Sequence, residues 1–161
     1  MKRGDIIFVR GDSIISKIIN KVDKGEFSHV AIALSDTTIL EAQRFTESRI
    51  VKNYLENYDI IDLGLDEIQK EKAIDAALDL IGYDYDYSQI VSTFFNNVFK
   101  IARRNNRSKY ICSELAVDFL FKVGVITSDE RELIHHYTAN ELYKYLMDGK
   151  CVKYTSWKEI E

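Results

Sequence analysis

A thiol, an imidazole and a carboxylate are the side chains of this sequence whose settings suit nucleophilic chemistry. Cys112 opens the run Cys112-Ser113-Glu114-Leu115-Ala116, the first turn of a predicted amphipathic helix. Leu115, Ala116, Phe119, Leu120 and Val123 share one side of that helix, and Gly124 stops it. Unpaired backbone N–H groups and the helix dipole at such a start stabilise a thiolate, and they can later hold the oxyanion of a tetrahedral intermediate. A cysteine in this position is otherwise a small buried hydrophobe, so Cys112 alone establishes no function.

His29 begins the alternating segment 28–43, in which Val30, Ile32, Leu34, Leu40 and Ala42 share one face of a predicted hairpin turning at Ser35-Asp36-Thr37. The other face carries His29, Ala31, Ala33, Ile39, Glu41 and Gln43, and its alanines leave room for a helix to approach the imidazole. An imidazole there can take a proton from a thiol and return it to a leaving group; the alternative is an ordinary strand histidine. With a three-residue loop, positions summing to 72 face each other, so 31 opposes 41 and 29 opposes 43. Glu41 then lies diagonal to His29, about 7 Å away at Cβ, within reach of the ring nitrogen turned from the thiol. A two-residue loop would send Glu41 to the opposite face. Gln43, directly across from His29, is the alternative orienting residue, and Ser28 is a further candidate to touch substrate or oxyanion.

The elements that must position these groups follow from the remaining pattern. Gly4 to Val9 reads as a first strand, Asp12 or Ser13 caps a short helix, and strands are expected at 49–52 and 58–63. Asp66 with Gln69 forms a capping box for a helix that buries Ala73, Ala76, Ala77, Leu80 and Ile81 and closes at Gly82. A tyrosine-rich turn leads to a helix over 88–103 and a basic loop over 103–109. The box Thr138-Ala139-Asn140-Glu141 starts a last helix ending at Gly149, and residues 151–155 return as a strand. Strands gathered in the first half and helices in the second indicate an α+β fold, an antiparallel sheet packed against helices.

The chain has 161 residues, 46% of them apolar and 30% charged, a balance that suits one domain spanning 1–161. A formal charge of −4 offers no general basic field for nucleic acid. The N-terminal residues read as a strand rather than a secretory signal, no stretch is long and apolar enough to cross a bilayer, and the expected location is the cytoplasm. Cys112 and Cys151 are therefore expected as thiols. His135 and His136 are adjacent, cannot easily share a metal on regular structure and have no third ligand at a zinc spacing, so they read as loop residues. No metal and no cofactor are expected. The basic loop and the helix bearing Phe94, Phe95 and Phe99 could make a peripheral membrane contact, although core packing is the commoner use of such a helix.

Five fragments in this order, Gly4-Asp5-Ile6-Ile7-Phe8, Phe27-Ser28-His29-Val30-Ala31, Leu40-Glu41-Ala42, Gly82 through Tyr85-Asp86, and Tyr110-Ile111-Cys112-Ser113-Glu114-Leu115, resemble the YiiX-like branch of the permuted NlpC-type papain-like proteins. The resemblance runs along most of the chain, and its specific part is the order histidine, acid, cysteine, which circular permutation produces. It implies a circularly permuted papain-like thiol hydrolase in which Cys112 attacks a carbonyl, His29 shuttles the proton and Glu41 fixes the histidine. It also implies that Tyr85 lies beside the site as a donor to oxyanion or substrate. The family's usual proline near that turn is missing, since the chain contains none. The expected reaction is cleavage of an amide in a small peptide, of the cell-wall kind, through an acyl-thioester. A lipid acyl hydrolase or acyltransferase using the same triad and a catalytically inactive ligand-binding module are the alternatives.

Overall fold

The computed structural model describes residues 1–12, 16–17, 20–21, 25–42, 47–82, 84–85, 109–110 and 112–159. Its frame is a six-stranded antiparallel sheet built from β1 (Ile6–Val9), β2 (His29–Ala33), β3 (Thr38–Ala42), β4 (Ser48–Lys52), β5 (Tyr58–Asp62) and β8 (Lys153–Thr155), in the order β4-β3-β2-β1-β5-β8. Among the described residues it is accompanied by the helices α1 (Glu67–Asp79), α2 (Cys112–Lys122), α3 (Ser128–Ile134) and α4 (Ala139–Gly149). A short parallel pair, β6 (Asp84–Tyr85) with β7 (Lys109–Tyr110), stands apart from the main sheet. The α+β arrangement is thus the one the order of patterns indicated. The expected helix over 88–103 and its phenylalanines lie outside the described residues.

The hairpin of β2 and β3 adopts the three-residue-loop register, pairing Ala31 with Glu41 and Ile32 with Leu40. One face of the sheet, bearing Phe8, Val30, Ile32, Leu40 and Ile61, packs on Leu115, Phe119 and Leu120 of α2, the alanines of α1, and Leu142 and Leu146 of α4. Burying each of the larger of these side chains contributes about 1.5–3 kcal/mol, which makes this face the main source of cohesion. Ile81, expected in the α1 stripe, is instead exposed.

The small-residue argument expected a helix over Ala31 and Ala33, whereas among the described residues the helices pack on the other face. Those alanines, with Ile7, Val9 and Ile39, form a second cluster that Met1, Val51, Leu55 and Tyr58 cover. The physical reason is area: the branched side chains of the other face bury more apolar surface beneath a helix than alanines can.

The caps follow the sequence closely. Asp66 with Gln69 and Thr138 with Glu141 make complete capping boxes, and Thr127 with Glu130 makes a third, starting α3, which had not been anticipated. Helix α2 ends in a Schellman motif: Val125 N–H donates to Leu120 and Gly124 N–H to Phe121, with Gly124 at φ +80°. Cys151, expected to open the last strand, precedes β8 and is partly buried.

Candidate active site

His29 stands at the first position of β2, and what fixes that position lies on α4. Asn140 Oδ1 accepts from the N–H groups of Glu26 and Phe27, both at 2.9 Å, while its Nδ2 donates to the Phe27 carbonyl at 2.9 Å. These bonds hold the chain entering β2. Ser28 contributes on the other side, its hydroxyl accepting from Gly11 N–H at 3.1 Å. Ser28 is therefore engaged in tying two segments of backbone.

Helix α2 begins at Cys112, and its first turn reaches the end of the β2–β3 ladder. The register of that ladder runs to the pair Ala31 and Glu41. One residue beyond it, Val30 N–H donates to the Cys112 sulfur, as does Ser113 N–H. The sulfur is thus lodged at the strand end, hydrogen-bonded to His29, although the body of the helix covers the opposite face of the sheet from Ala31. Cys112 is buried, whereas the His29 side chain is one-fifth exposed, which leaves the pair reachable from solvent.

Glu41 is fully buried and its carboxylate is fully engaged. Oε2 accepts from His29 Nε2 at 3.2 Å and from Tyr54 Oη at 2.9 Å, and Oε1 lies 2.9 Å from the same hydroxyl. Arg49 donates to Oε1 from Nε at 3.1 Å and from Nη2 at 2.9 Å. Since Nε2 of His29 meets the carboxylate, Nδ1 is the nitrogen left for the thiol. Arg49 sits directly across the β3–β4 ladder from Glu41, and Tyr54 comes from the connection after β4. Neither was anticipated. A register for the β3–β4 hairpin would have revealed Arg49, but nothing in the alternation pattern points to Tyr54.

The electrostatics follow from these contacts. Burial works against a charged His29, but its bonds to Cys112 and Glu41 and their negative charges prevail, raising it to about 9. Burial likewise pushes the Cys112 thiol up, and the His29 contact with the Val30 and Ser113 N–H groups more than offsets it, so the thiol is lowered. For Glu41, burial is outweighed by His29, Arg49 and Tyr54, and the carboxyl is held below its ordinary range. These contacts favour the thiolate of Cys112, the imidazolium of His29 and the ionised form of Glu41 over their neutral forms.

The remaining expected residues divide. The backbone of Tyr85 pairs with Tyr110, two residues before Cys112, while its side chain, like Gln43, lies outside the described residues. His135 and His136 are turn residues after α3, as their reading as loop residues expected. They lie beside Glu114, a neighbour that no local spacing points to.

The comparisons with known proteins bear on the fold and the family. In fold, the chain is similar to the crystal structure of metalloprotein YiiX from Escherichia coli O157:H7, with a TM-score of 0.59 and 20% identity over 78% of this chain and 67% of that one. Among curated proteins, none matches the sequence. The family model that matches spans residues 1–155 and is described as permuted papain-like amidase enzyme, YaeF/YiiX, C92 family. With a histidine strand, an acid strand and a cysteine helix in that chain order, and a family match over nearly its whole length, this chain belongs to the permuted papain-like amidases of the YaeF/YiiX type.

Proposed function

We propose that the protein is a cysteine amide hydrolase in which Cys112 is the nucleophile, His29 the acid–base and Glu41 the group that orients and charges the histidine. The observation that carries this reading is the continuous chain of contacts from the Cys112 sulfur through His29 to a buried Glu41. The family's amidase description supports an amide as the bond cleaved, and a short peptide is the substrate class we propose.

The chemistry runs from the ion pair. The thiolate attacks the amide carbonyl, forming the S–C bond and moving the carbonyl electrons onto oxygen. Backbone N–H groups at the start of α2 stabilise that oxyanion. Collapse of the intermediate breaks the C–N bond, and the proton on His29 passes to the departing amine. His29, now neutral, takes a proton from water as the water attacks the thioester. The carboxylic acid leaves, and the thiolate–imidazolium pair is restored.

The test is labelling of wild type and Cys112→Ala with electrophiles bearing either peptide or long-acyl recognition groups. Peptide-selective labelling that disappears in the variant is the expected result. Acyl-selective labelling would move the substrate to lipids, and labelling that persists in Cys112→Ala would end the assignment of the nucleophile.

A further inference from the structure

Helix α2 bears a second group of chemically capable side chains besides Cys112. Glu114 and Asp118 stand one turn apart on this helix, each with its side chain about 4% exposed. They face the segment that follows α3. His136 Nδ1 lies 3.5 Å from Glu114 Oε1, and His135 Nδ1 lies 3.9 Å from the same oxygen. One ligand atom from each of the three residues falls within 4.8 Å of the others. The imidazoles are nearly perpendicular, at 85°, so their lone pairs can converge without the rings stacking.

A second observation points the same way. The far nitrogen of His135, Nε2, lies 3.6 Å from Asp118 Oδ1. A histidine that gives one nitrogen to a carboxylate and presents the other to a ligand position has the outer-shell arrangement that orients metal-bound imidazoles. Asp118 also accepts from Arg131 Nε at 2.5 Å, and that guanidinium rests over Phe121. With both histidines neutral, Glu114, Asp118 and Arg131 together carry one net negative charge, which suits a dication.

We infer that Glu114, His135 and His136 form a site for a divalent transition metal of the zinc class, with Asp118 orienting His135. Two imidazoles and one carboxylate are a borderline donor set that favours zinc over the hard cations calcium and magnesium. Tetrahedral zinc with bonds of about 2.0–2.1 Å holds ligand atoms roughly 3.3 Å apart, so the present spacings need only modest inward movement of the imidazoles. Three protein ligands leave a fourth position for water. The metal would join the helix that carries the nucleophile to the turn between α3 and α4.

The thiol of Cys112 can itself bind zinc, so the experiment is done on Cys112→Ala. Metal-stripped protein is titrated with zinc chloride by calorimetry, and cobalt loading is followed by visible spectroscopy. The expected result is one zinc per chain and a cobalt spectrum without a thiolate charge-transfer band. His136→Asn, at a half-exposed position, should weaken binding at least tenfold while the metal-free melting temperature stays unchanged. Asp118→Asn should weaken it about 10–100-fold. Zinc binding that is absent from Cys112→Ala, or that is the same in His136→Asn, would overturn the site. Neither outcome bears on whether Cys112 is the nucleophile of the wild-type enzyme.

Discussion

At the scale of single residues, the site is an exercise in moving protonation states by contact. His29 is held at about 9 even though burial opposes its charge, because the sulfur and Glu41 both favour the imidazolium. Removing the sulfur removes one of those two supports. In Cys112→Ala the His29 ring, followed by NMR, should titrate well below the wild-type midpoint of about 9, and an unchanged midpoint would show that the thiolate does not contribute. The sign for stability follows from the raised value. The unfolded histidine titrates near 6.5, so the contribution is complete below that pH and is lost as pH climbs through about 9. The thiol is displaced in the opposite direction, so the pH midpoint of iodoacetamide reactivity should lie below about 8.5, the value for a free cysteine. Tyr54 and Arg49 are positioning residues that act through Glu41. Both side chains are substantially exposed and screened, so Tyr54→Phe should lower kcat only about tenfold, within the range expected for one hydrogen bond to a charged group. A rise in the basic pKa of the pH–rate profile should accompany it, because Glu41 with one donor fewer holds the His29 proton more tightly, a change that a loss of packing alone would not give.

At the scale of elements, the position of the histidine depends on a helix more than one hundred residues later in the chain. Asn140, at the start of α4, satisfies three backbone groups at Glu26 and Phe27 with a single buried amide. Its replacement by alanine leaves those groups with no such partner, and each unsatisfied buried group costs about 1–3 kcal/mol. Asn140→Ala should therefore lower the urea midpoint at unchanged slope. It should also reduce Cys112 labelling in the fraction that remains folded, since the entry to β2 is loosened. The nucleophile helix illustrates the same dependence. Its start, its apolar stripe and its glycine stop are local properties, but lodging its first turn at the strand end requires that the β2–β3 ladder finish at Ala31 and Glu41.

At the scale of the whole molecule, one buried carboxylate ties the sheet together. Asp59 on β5 is inaccessible to solvent; it receives the Arg10 guanidinium in a fork at 2.7 and 2.6 Å and the Tyr154 hydroxyl of β8 at 2.6 Å. Arg10 also bonds Glu26 and covers the Phe27 ring, so the clip extends to the segment entering β2. Arg10→Met should destabilise the protein by about 3–5 kcal/mol in chemical denaturation, because a charge is left buried beside an apolar chain. The pairing Arg10→Met with Asp59→Leu should recover much of that loss. Among the described residues no helix is long and apolar enough to cross a membrane. The sequence alone determined what local periodicity and capping chemistry determine: the strands of the first half, the boxes at Asp66 and Thr138, and the helix beginning at Cys112, while it narrowed the hairpin to two registers, one of which turns Glu41 toward His29. Each of these depends on residues a few positions apart. Tertiary structure decided which face of the sheet the helices would cover, that Arg49 and Tyr54 would hold Glu41, that Asn140 would fix the entry to β2, and that Glu114 would meet His135 and His136. Those contacts join residues between eight and more than one hundred positions apart, and no period or propensity encodes them, because what selects them is the burial of apolar area and the pairing of every buried polar group once the layers have packed.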